Sequence, residues 1–176
     1  NKIACSSEYK NYKLLKRLSL KYNAPFLFET NVGAGLPVID TLNNLIASGD
    51  KITSIQAVLS GSLNFVFNNF DDKTKFYDVV KQAAAEGYTE PDPRIDLSGV
   101  DVARKILILA RESGMEMNLE DIENTSFLSP SGLKSDTVDD FYNTLIDDEA
   151  HYQKIYASAK ANNCQLKYVA KLDNGK

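Results

Sequence analysis

The chain has few of the residue types that build metal centres and disulfide frameworks. It contains two cysteines, Cys5 and Cys164, and a single histidine, His151, among 176 residues. Two cysteines are too few for a disulfide framework, and nothing spaces them with His151 as a zinc site requires. A nucleophilic Cys5 would need a neighbouring base, whereas His151 lies in an acidic helical stretch, where a lone histidine is usually solvated. The composition therefore disfavours thiol and zinc chemistry.

The chain also lacks an excess of positive charge and any long apolar run. It has 20 lysines and arginines against 24 aspartates and glutamates, and a formal net charge of −4. Without a basic stripe, a nucleic-acid partner is not expected. No segment approaches the roughly 18 apolar residues that span a bilayer, and no signal-peptide pattern is present. We therefore expect a cytoplasmic protein without a membrane or nucleic-acid partner.

A dinucleotide-binding fingerprint is missing as well. No Gly-x-Gly-x-x-Gly follows a predicted strand, and Gly33-Ala-Gly35 continues as Leu36-Pro37, with no glycine three residues after Gly35. The first residue is an asparagine, and the turn signal Asp173-Asn-Gly175 is followed only by Lys176. We therefore expect residues 1–176 to form a single, truncated domain without a Rossmann domain.

The most informative segment is residues 87–105, which begins Gly87-Tyr-Thr-Glu-Pro-Asp-Pro-Arg94. Two prolines, Pro91 and Pro93, fix φ at about −65° and stiffen the chain that leads into a helix. Four charged candidates lie in this segment: Glu90, Asp96, Asp101 and Lys105. The prolines bias Glu90 and Asp92 toward extended conformations, so these carboxylates project from a backbone with little freedom to relax. This arrangement favours a site over an ordinary surface loop.

The helix that follows is predicted from its own signals. Ser98 is typical of an N-cap, Asp101 lies three residues later as in a capping box, and Gly114 ends the apolar period. Asp101 and Lys105 share one face at i, i+4 spacing. Such a pair alone is explained by a surface interaction of roughly 0.2–0.5 kcal/mol. The charged segment before the helix shifts the balance towards a functional site.

The rest of the chain predicts alternating helices and strands. Helices are expected at residues 6–22, 36–48, 61–70, 76–86 and 136–162, the last broken near Asp147. Strands are expected at residues 26–30, 51–60 and 165–172.

Several ordered stretches together carry a family resemblance. They are Asn1-Lys2, Asn31-Val-Gly-Ala-Gly-Leu-Pro37, Leu59-Ser-Gly-Ser-Leu63, residues 87–105, the helix from Ile106 to Glu112 and, more weakly, Leu166-Lys-Tyr-Val169. In this order they resemble the homoserine dehydrogenases, most closely the homoserine dehydrogenase part of bifunctional aspartokinase/homoserine dehydrogenases. The sequence departs from the family at Ile95, where many members have a second aspartate, at Ser62, where some have threonine, and at Ile3, where a lysine is common.

The resemblance implies an α+β fold with α/β-like element order, in which helices cover a mixed β-sheet, as in the family's catalytic domain. It implies reversible reduction of L-aspartate 4-semialdehyde to L-homoserine with NADP or NAD, in threonine, methionine and isoleucine biosynthesis. It also implies a homodimer or higher homo-oligomer. Because the absent Rossmann domain would hold most of the cofactor, we expect the isolated chain to be inactive. The alternative is a non-catalytic dimerisation or regulatory module of a larger biosynthetic enzyme.

The resemblance also assigns residue roles. The catalytic candidates are Lys105 as proton donor, Asp101 as the residue that orients it, and Lys2 as a second lysine. The substrate-binding candidates are Glu90 and Asp96 as acceptors, with Tyr88 and the helix start at Gly61 and Ser62 as donors. Reduction of an aldehyde leaves negative charge on its oxygen, so a proton donor is needed there. Ser62 has the alternative of a plain helix cap, and Tyr88 that of a core or rim aromatic residue.

Further roles concern the cofactor and a monovalent cation. The cofactor-binding candidates are Lys2, Gly33 and Ala34. By resemblance, the family's sodium site maps onto Glu29 and the backbone at Val32, Ala34 and Leu36. The two glycines let the backbone turn and expose carbonyl oxygens, which suits a monovalent cation. The alternative is that this stretch simply connects a strand to a helix.

Overall fold

The computed structural model describes residues 1–173, and within them regular structure is mostly helical. The α-helices are α1 Lys2–Ser6, α2 Tyr9–Tyr22, α3 Thr30–Gly33, α4 Val38–Ala47, α5 Gly61–Asn69, α6 Phe76–Ala85, α7 Pro93–Leu97, α8 Val100–Glu112, α9 Pro130–Leu133, α10 Val138–Asp147 and α11 Glu149–Ala161. The strands are β1 Ser54–Ala57 and β2 Ala170–Asp173, and a 3-10 turn covers Leu119–Asp121.

The chain divides into two compact units. The first comprises residues 1–59 and 102–124 together with the described residues from 169 onward, and the second comprises residues 60–101 and 125–168. The expectation of a single domain stays a prediction. No helix within residues 1–173 is long and apolar enough to cross a membrane.

The first unit is organised around a buried arginine. Arg111, near the end of α8, donates from its guanidinium to the carbonyl oxygens of Cys5 (2.6 Å), Ser7 (2.7 Å) and Met117 (3.0 Å). These bonds tie α1 and the segment after α8 to the buried part of that helix. Burial raises the pKa of the Cys5 thiol, which disfavours its thiolate form.

The sheet within residues 1–173 consists of two antiparallel strands. Ser54 pairs with Asp173 and Ala57 with Ala170. The α+β fold class is confirmed, although this sheet is smaller than the mixed sheet expected and its strands occupy only part of the predicted ranges. The predicted strand at residues 26–30 is wrong, because residues 24–28 have no regular structure and α3 begins at Thr30. Of the predicted C-terminal turn, Asn174 and Gly175 lie outside the described residues.

The second unit has an aromatic core. Phe76, the first residue of α6, stacks on Tyr152 of α11 with ring centroids 4.1 Å apart, and both side chains are buried. Phe70, at the end of α5, meets Phe76 edge to face at 5.1 Å. Aromatic contacts of this kind add to the stabilisation from apolar burial and hold the ends of α5, α6 and α11 together.

Several predicted helix ends are confirmed to within a few residues. Helix α4 ends at Ala47, before Gly49, and α6 ends at Ala85, before Gly87. Both glycines have positive φ, 93° and 76°, which glycine adopts without a steric cost. The long acidic helix is broken at Asp148, one residue after the predicted position, into α10 and α11.

The charged segment contains an additional helix. Pro93 begins the short α7, for which the Asp92 side chain is the N-cap, and α8 begins only at Val100. Ser98 is the C-cap of α7, and its Oγ also accepts the N–H of Val100, the first residue of α8, at 3.4 Å. The predicted capping of α8 by Ser98 stays a prediction. The proline that was expected to stiffen a turn instead occupies the first turn of a helix, where its missing N–H costs nothing.

Candidate active site

The beginning of α5 is built by two serines that flank a glycine. Ser60 is the N-cap, and its Oγ accepts a hydrogen bond from the Leu63 N–H at 3.1 Å. Ser62, in the first turn, is 6% exposed, and its Oγ lies 2.9 Å from the Oγ of Ser60. The capping hydroxyl group of Ser60 is thus hydrogen-bonded to a second hydroxyl group, that of Ser62, inside the helix.

Asp96 of α7 is the centre of this cluster. Its Oδ1 accepts the hydroxyl proton of Ser62 at 2.9 Å, and its Oδ2 accepts the backbone N–H of Glu90 at 2.8 Å. A carboxylate has about four acceptor positions, so both oxygens keep capacity for another donor. The structure therefore brings together three of the predicted substrate-binding residues: Ser62, Glu90 and Asp96.

The hydroxyl group of Ser62 is used within the protein. Its hydroxyl proton is given to Asp96, so this hydroxyl does not offer it to a substrate. The remaining donors at this place are the backbone N–H groups of the first turn of α5, which begins at Gly61. The first N–H groups of a helix lack partners within the helix and favour negative charge.

Tyr88 packs beside the same helix. Its ring stacks on Phe65 of α5 with centroids 4.2 Å apart and an interplanar angle of 23°. The side chain is 50% exposed, as expected for an aromatic residue at the rim of a site. The contact fixes the start of the segment that carries Glu90.

The segment between Glu90 and Asp96 is held by an ion pair. Arg94 binds Asp92 through Nη2 and Oδ2 at 2.7 Å, and its Nη1 donates to the carbonyl of Ser135 at 2.6 Å. Hydrogen bonds from Arg94 hold the pKa of Asp92 below its usual range. Arg94 is thus engaged within the protein, which agrees with its omission from the predicted substrate-binding residues.

Lys105 lies in α8, one turn after Asp101, which is in the first turn of that helix. Its half-buried side chain donates from Nζ to the carbonyl oxygen of Leu59 at 2.7 Å. Leu59 directly precedes Ser60 in the chain. Lys2, the second candidate lysine, lies in α1 and is half-buried.

Glu29, the proposed cation ligand, has a structural task. Its two carboxylate oxygens accept the backbone N–H groups of Ile39 (2.7 Å) and Asp40 (2.8 Å) at the start of α4. The N-terminal N–H groups of α4 thereby gain acceptors from a residue ten positions earlier. Sequence reasoning missed this cap because the usual signal is a residue adjacent to the helix.

The Gly33-Ala-Gly35 stretch forms a tight turn. A Cβ at Gly33 would lie 2.6 Å from Cγ2 of Val38, so the glycine is required by packing within the chain. Ala34 has φ of 52°, and the Leu36 carbonyl accepts the Val38 N–H at 2.9 Å. Within residues 1–173, no three His, Cys, Asp or Glu side chains are grouped to hold a metal ion. A cation here would therefore depend on backbone carbonyls and the remaining lone pairs of Glu29.

Comparison with known proteins identifies the family. Residues 37–174 match the homoserine dehydrogenase family model. The chain is 43% identical over 176 residues to the bifunctional aspartokinase/homoserine dehydrogenase of Haemophilus influenzae, a match that covers 100% of this chain and 22% of that protein.

Solved structures share this fold. A Candida auris protein of unknown function matches with a TM-score of 0.89 and 38% identity, covering 99% of this chain and 50% of that one. A hyperthermophilic archaeal homoserine dehydrogenase in complex with NADPH matches with a TM-score of 0.56 and 28% identity, over 66% of this chain and 38% of that one. The chain thus spans half or less of these relatives. Because residues 37–174 match the family model and all 176 residues align with the Haemophilus influenzae relative at 43% identity, the chain belongs to the homoserine dehydrogenase family.

Proposed function

We propose that this chain provides the substrate-binding and proton-donating groups of a homoserine dehydrogenase that interconverts L-aspartate 4-semialdehyde and L-homoserine. The observation that carries the proposal is the Asp96 carboxylate, held on one oxygen by Ser62 and on the other by the Glu90 N–H. A carboxylate oriented in this way suits a ligand with an ammonium group. Family membership supports an amino acid as that ligand.

The α-ammonium and the α-carboxylate of the amino acid need partners of opposite charge. In the proposal, its α-ammonium binds the carboxylates of Asp96 and Glu90, which accept charge-assisted hydrogen bonds. Its α-carboxylate binds the N–H groups at the start of α5, at Gly61 and Ser62, where the helix dipole is positive. Tyr88, stacked on Phe65, borders this subsite. Fixing both ends leaves the side-chain aldehyde in one orientation.

Lys105 gives the proton in this proposal. When the cofactor delivers hydride to the aldehyde carbon, the oxygen gains negative charge, and Lys105 Nζ protonates it to form the hydroxyl group of homoserine. Leu59 holds the ammonium in place through its carbonyl. Asp101 is proposed to orient Lys105, and Lys2 is proposed as a second cationic group.

The cofactor itself is proposed to bind mainly outside this chain. The turn at Gly33 and Ala34, with Lys2, is proposed to touch its nicotinamide side, but Gly33 is already required by its contact with Val38. The archaeal relative's complex with NADPH supports a nicotinamide cofactor, whereas the choice between NADP and NAD stays open. Assembly as a homodimer or higher homo-oligomer, a cytoplasmic location, and a place in threonine, methionine and isoleucine biosynthesis remain predictions.

The test of this proposal is homoserine-dependent reduction of NADP or NAD by the longer enzyme that carries this chain. We expect activity that requires both homoserine and the cofactor, and little or none from the isolated 176-residue chain. Reduction that is independent of homoserine, or its absence in the longer protein, would overturn the proposal. In that case the mass of the chain in solution tests the alternative of a dimerisation module.

A sodium ion at the Glu29 turn is a second, separate proposal. Replacing all monovalent metal cations by tetramethylammonium is expected to lower the melting temperature of the enzyme, and addition of Na⁺ should restore it. The Glu29 cap on α4 is independent of the ion, so Glu29→Gln should be less stable under both conditions and respond less to Na⁺. Identical melting temperatures of the unmodified enzyme with and without sodium would contradict a bound cation.

A further inference from the structure

The hydrogen bonds at the start of α5 form a chain with a fixed direction. An ionised Asp96 carboxylate only accepts, so the 2.9 Å contact with Ser62 uses the single hydroxyl proton of Ser62. The contact between the two serines, also 2.9 Å, must then use the proton of Ser60. Ser60 in turn accepts the N–H of Leu63. Proton donation therefore runs from Leu63 to Ser60, then to Ser62, and ends at Asp96.

We propose that Ser60 is a positioning residue for the substrate subsite, because its hydroxyl proton orients Ser62 and, through it, the carboxylate of Asp96. This inference rests on the proposed function, since it assigns the oriented carboxylate to the amino acid substrate. Ser60 has no contact with the substrate in this view. It acts through Ser62.

An ordinary N-cap would not need this arrangement. Capping uses only a lone pair of the hydroxyl, as an acceptor for an N–H group of the first turn. Ser60 also uses its proton, and it directs that proton at a side chain that is 6% exposed. Water has poor access to so buried a group. If the proton donated by Ser60 is lost, water therefore does not readily replace it as the donor to Ser62. The hydroxyl of Ser62 and the carboxylate of Asp96 then lose a defined orientation.

The two oxygens of Asp96 extend the effect to the neighbouring segment. Oδ1 depends on the serine pair, whereas Oδ2 binds the Glu90 N–H at 2.8 Å. A carboxylate that rotates because Ser62 has lost its orientation will also weaken the bond to Glu90. The exchange rate of the Glu90 amide therefore reports on Ser60, even without a substrate or a turnover measurement.

The first test compares Ser60→Ala with Ser60→Thr in the longer enzyme that carries this chain. Ser60→Ala is expected to raise KM for homoserine about fivefold to tenfold, the size of effect of one lost hydrogen bond near a charged group. The KM of the cofactor should not change, and kcat should fall less than twofold. Threonine keeps both the cap and the proton, so Ser60→Thr should restore KM to within about twofold.

Thr137→Ala is the matched control for loss of a cap. Thr137 caps α10 by accepting the Asp140 N–H at 3.0 Å, and it donates to the carboxylate of Asp140 at 2.6 Å. Its removal should lower thermal stability by an amount similar to Ser60→Ala while KM for homoserine stays unchanged. Equal KM values for Ser60→Ala, Thr137→Ala and the unmodified enzyme would reduce Ser60 to an ordinary cap and overturn the inference.

A second variant separates the cap from the proton. Aspartate is a good N-cap, but in its ionised form it has no proton to give. In Ser60→Asp, Ser62 is drawn between two carboxylates and cannot serve both, so we expect a raised KM together with thermal stability at or above that of Ser60→Ala. An unchanged KM in this variant would contradict the directional chain even if Ser60→Ala did not fold.

Hydrogen exchange distinguishes this inference from the proposed function. In Ser60→Ala, the Glu90 amide should exchange about threefold to tenfold faster than in the unmodified enzyme, whereas Thr137→Ala should leave it unchanged. An enzyme without homoserine-dependent activity would refute the proposed function, yet the exchange measurement would still decide the positioning role. Unchanged Glu90 exchange would refute that role even in an active enzyme.

Discussion

Replacing Lys105 by methionine is expected to lower kcat for homoserine oxidation by about a hundredfold or more, the lower end of the contribution of a positioned proton-transfer group. Methionine retains much of the apolar length of the side chain but carries no proton. The affinity for the cofactor should be nearly unchanged, because Lys105 acts at the reacting oxygen of the substrate. Steady-state kinetics with both reactants varied would measure the two effects separately.

The structural cost of this variant must be distinguished from the catalytic one. Lys105 Nζ binds the carbonyl of Leu59, so its loss is also expected to reduce thermal stability slightly. Lys160→Met is a suitable control, because Lys160 forms an exposed ion pair with Asp72 at 2.7 Å. The control should retain full turnover. If Lys105→Met folds, binds the cofactor and also turns over at the normal rate, another group donates the proton.

Replacing Asp96 by asparagine is expected to raise KM for homoserine about tenfold to a hundredfold. Asparagine is similar in shape but is neutral, so the charge-assisted bond to the α-ammonium is lost, and such bonds contribute about 1.5–3 kcal/mol. One of its two polar atoms is the nitrogen of an NH2 group, which donates. Asparagine therefore cannot accept from Ser62 on one atom and from Glu90 on the other, as Asp96 does. A smaller decrease in kcat should accompany the loss of orientation.

Asp92→Asn provides the matched comparison for Asp96→Asn. Asp92 lies four residues earlier, caps α7 and pairs with Arg94, and its side chain is 29% exposed. Its removal should lower stability through the lost ion pair and cap but raise KM for homoserine less than Asp96→Asn does. Equal effects of the two substitutions on KM would indicate that Asp96 contributes only to the fold of this segment.

The sequence predicts the helices of this chain better than its strands. Gly49 and Gly87 mark the ends of α4 and α6 correctly, because a positive φ next to a helix end is a local requirement. The run from Phe26 to Phe28 looks like a strand from its apolar residues, but a strand needs a partner. Leu27 is 87% exposed although Phe28 is buried, and within residues 1–173 no strand pairs with this run.

The same reasoning explains which parts of the site were missed. The resemblance pointed to Ser62 and Asp96, but their contact joins residues 34 positions apart and no local pattern contains it. Ser60 was missed because a serine before a helix is accounted for by capping alone. Its signal was present in the motif Leu59-Ser-Gly-Ser-Leu63, where two hydroxyl groups flank one glycine. The proton of Ser60 goes to a buried side chain, Ser62, whereas the proton of the cap Thr137 goes to the exposed carboxylate of Asp140.

The role of Glu29 also depends on a contact that the sequence does not reveal. Its carboxylate reaches Ile39 and Asp40, the second and third residues of α4, across a turn whose shape is set by Gly33 and Ala34. In the sequence, a carboxylate beside glycines favours a cation site. The structure adds a function in helix capping and leaves the sodium ion as a proposal.

The most direct measurement follows the hydride into the product. The longer enzyme that carries this chain is incubated with L-aspartate 4-semialdehyde and NADPH or NADH that carries deuterium at both C4 positions of the nicotinamide ring. We predict homoserine with one deuterium on the carbon that bears the new hydroxyl group, and loss of this product in Lys105→Met. An aldehyde that remains unreduced, or homoserine without deuterium at that carbon, would contradict the proposed reaction.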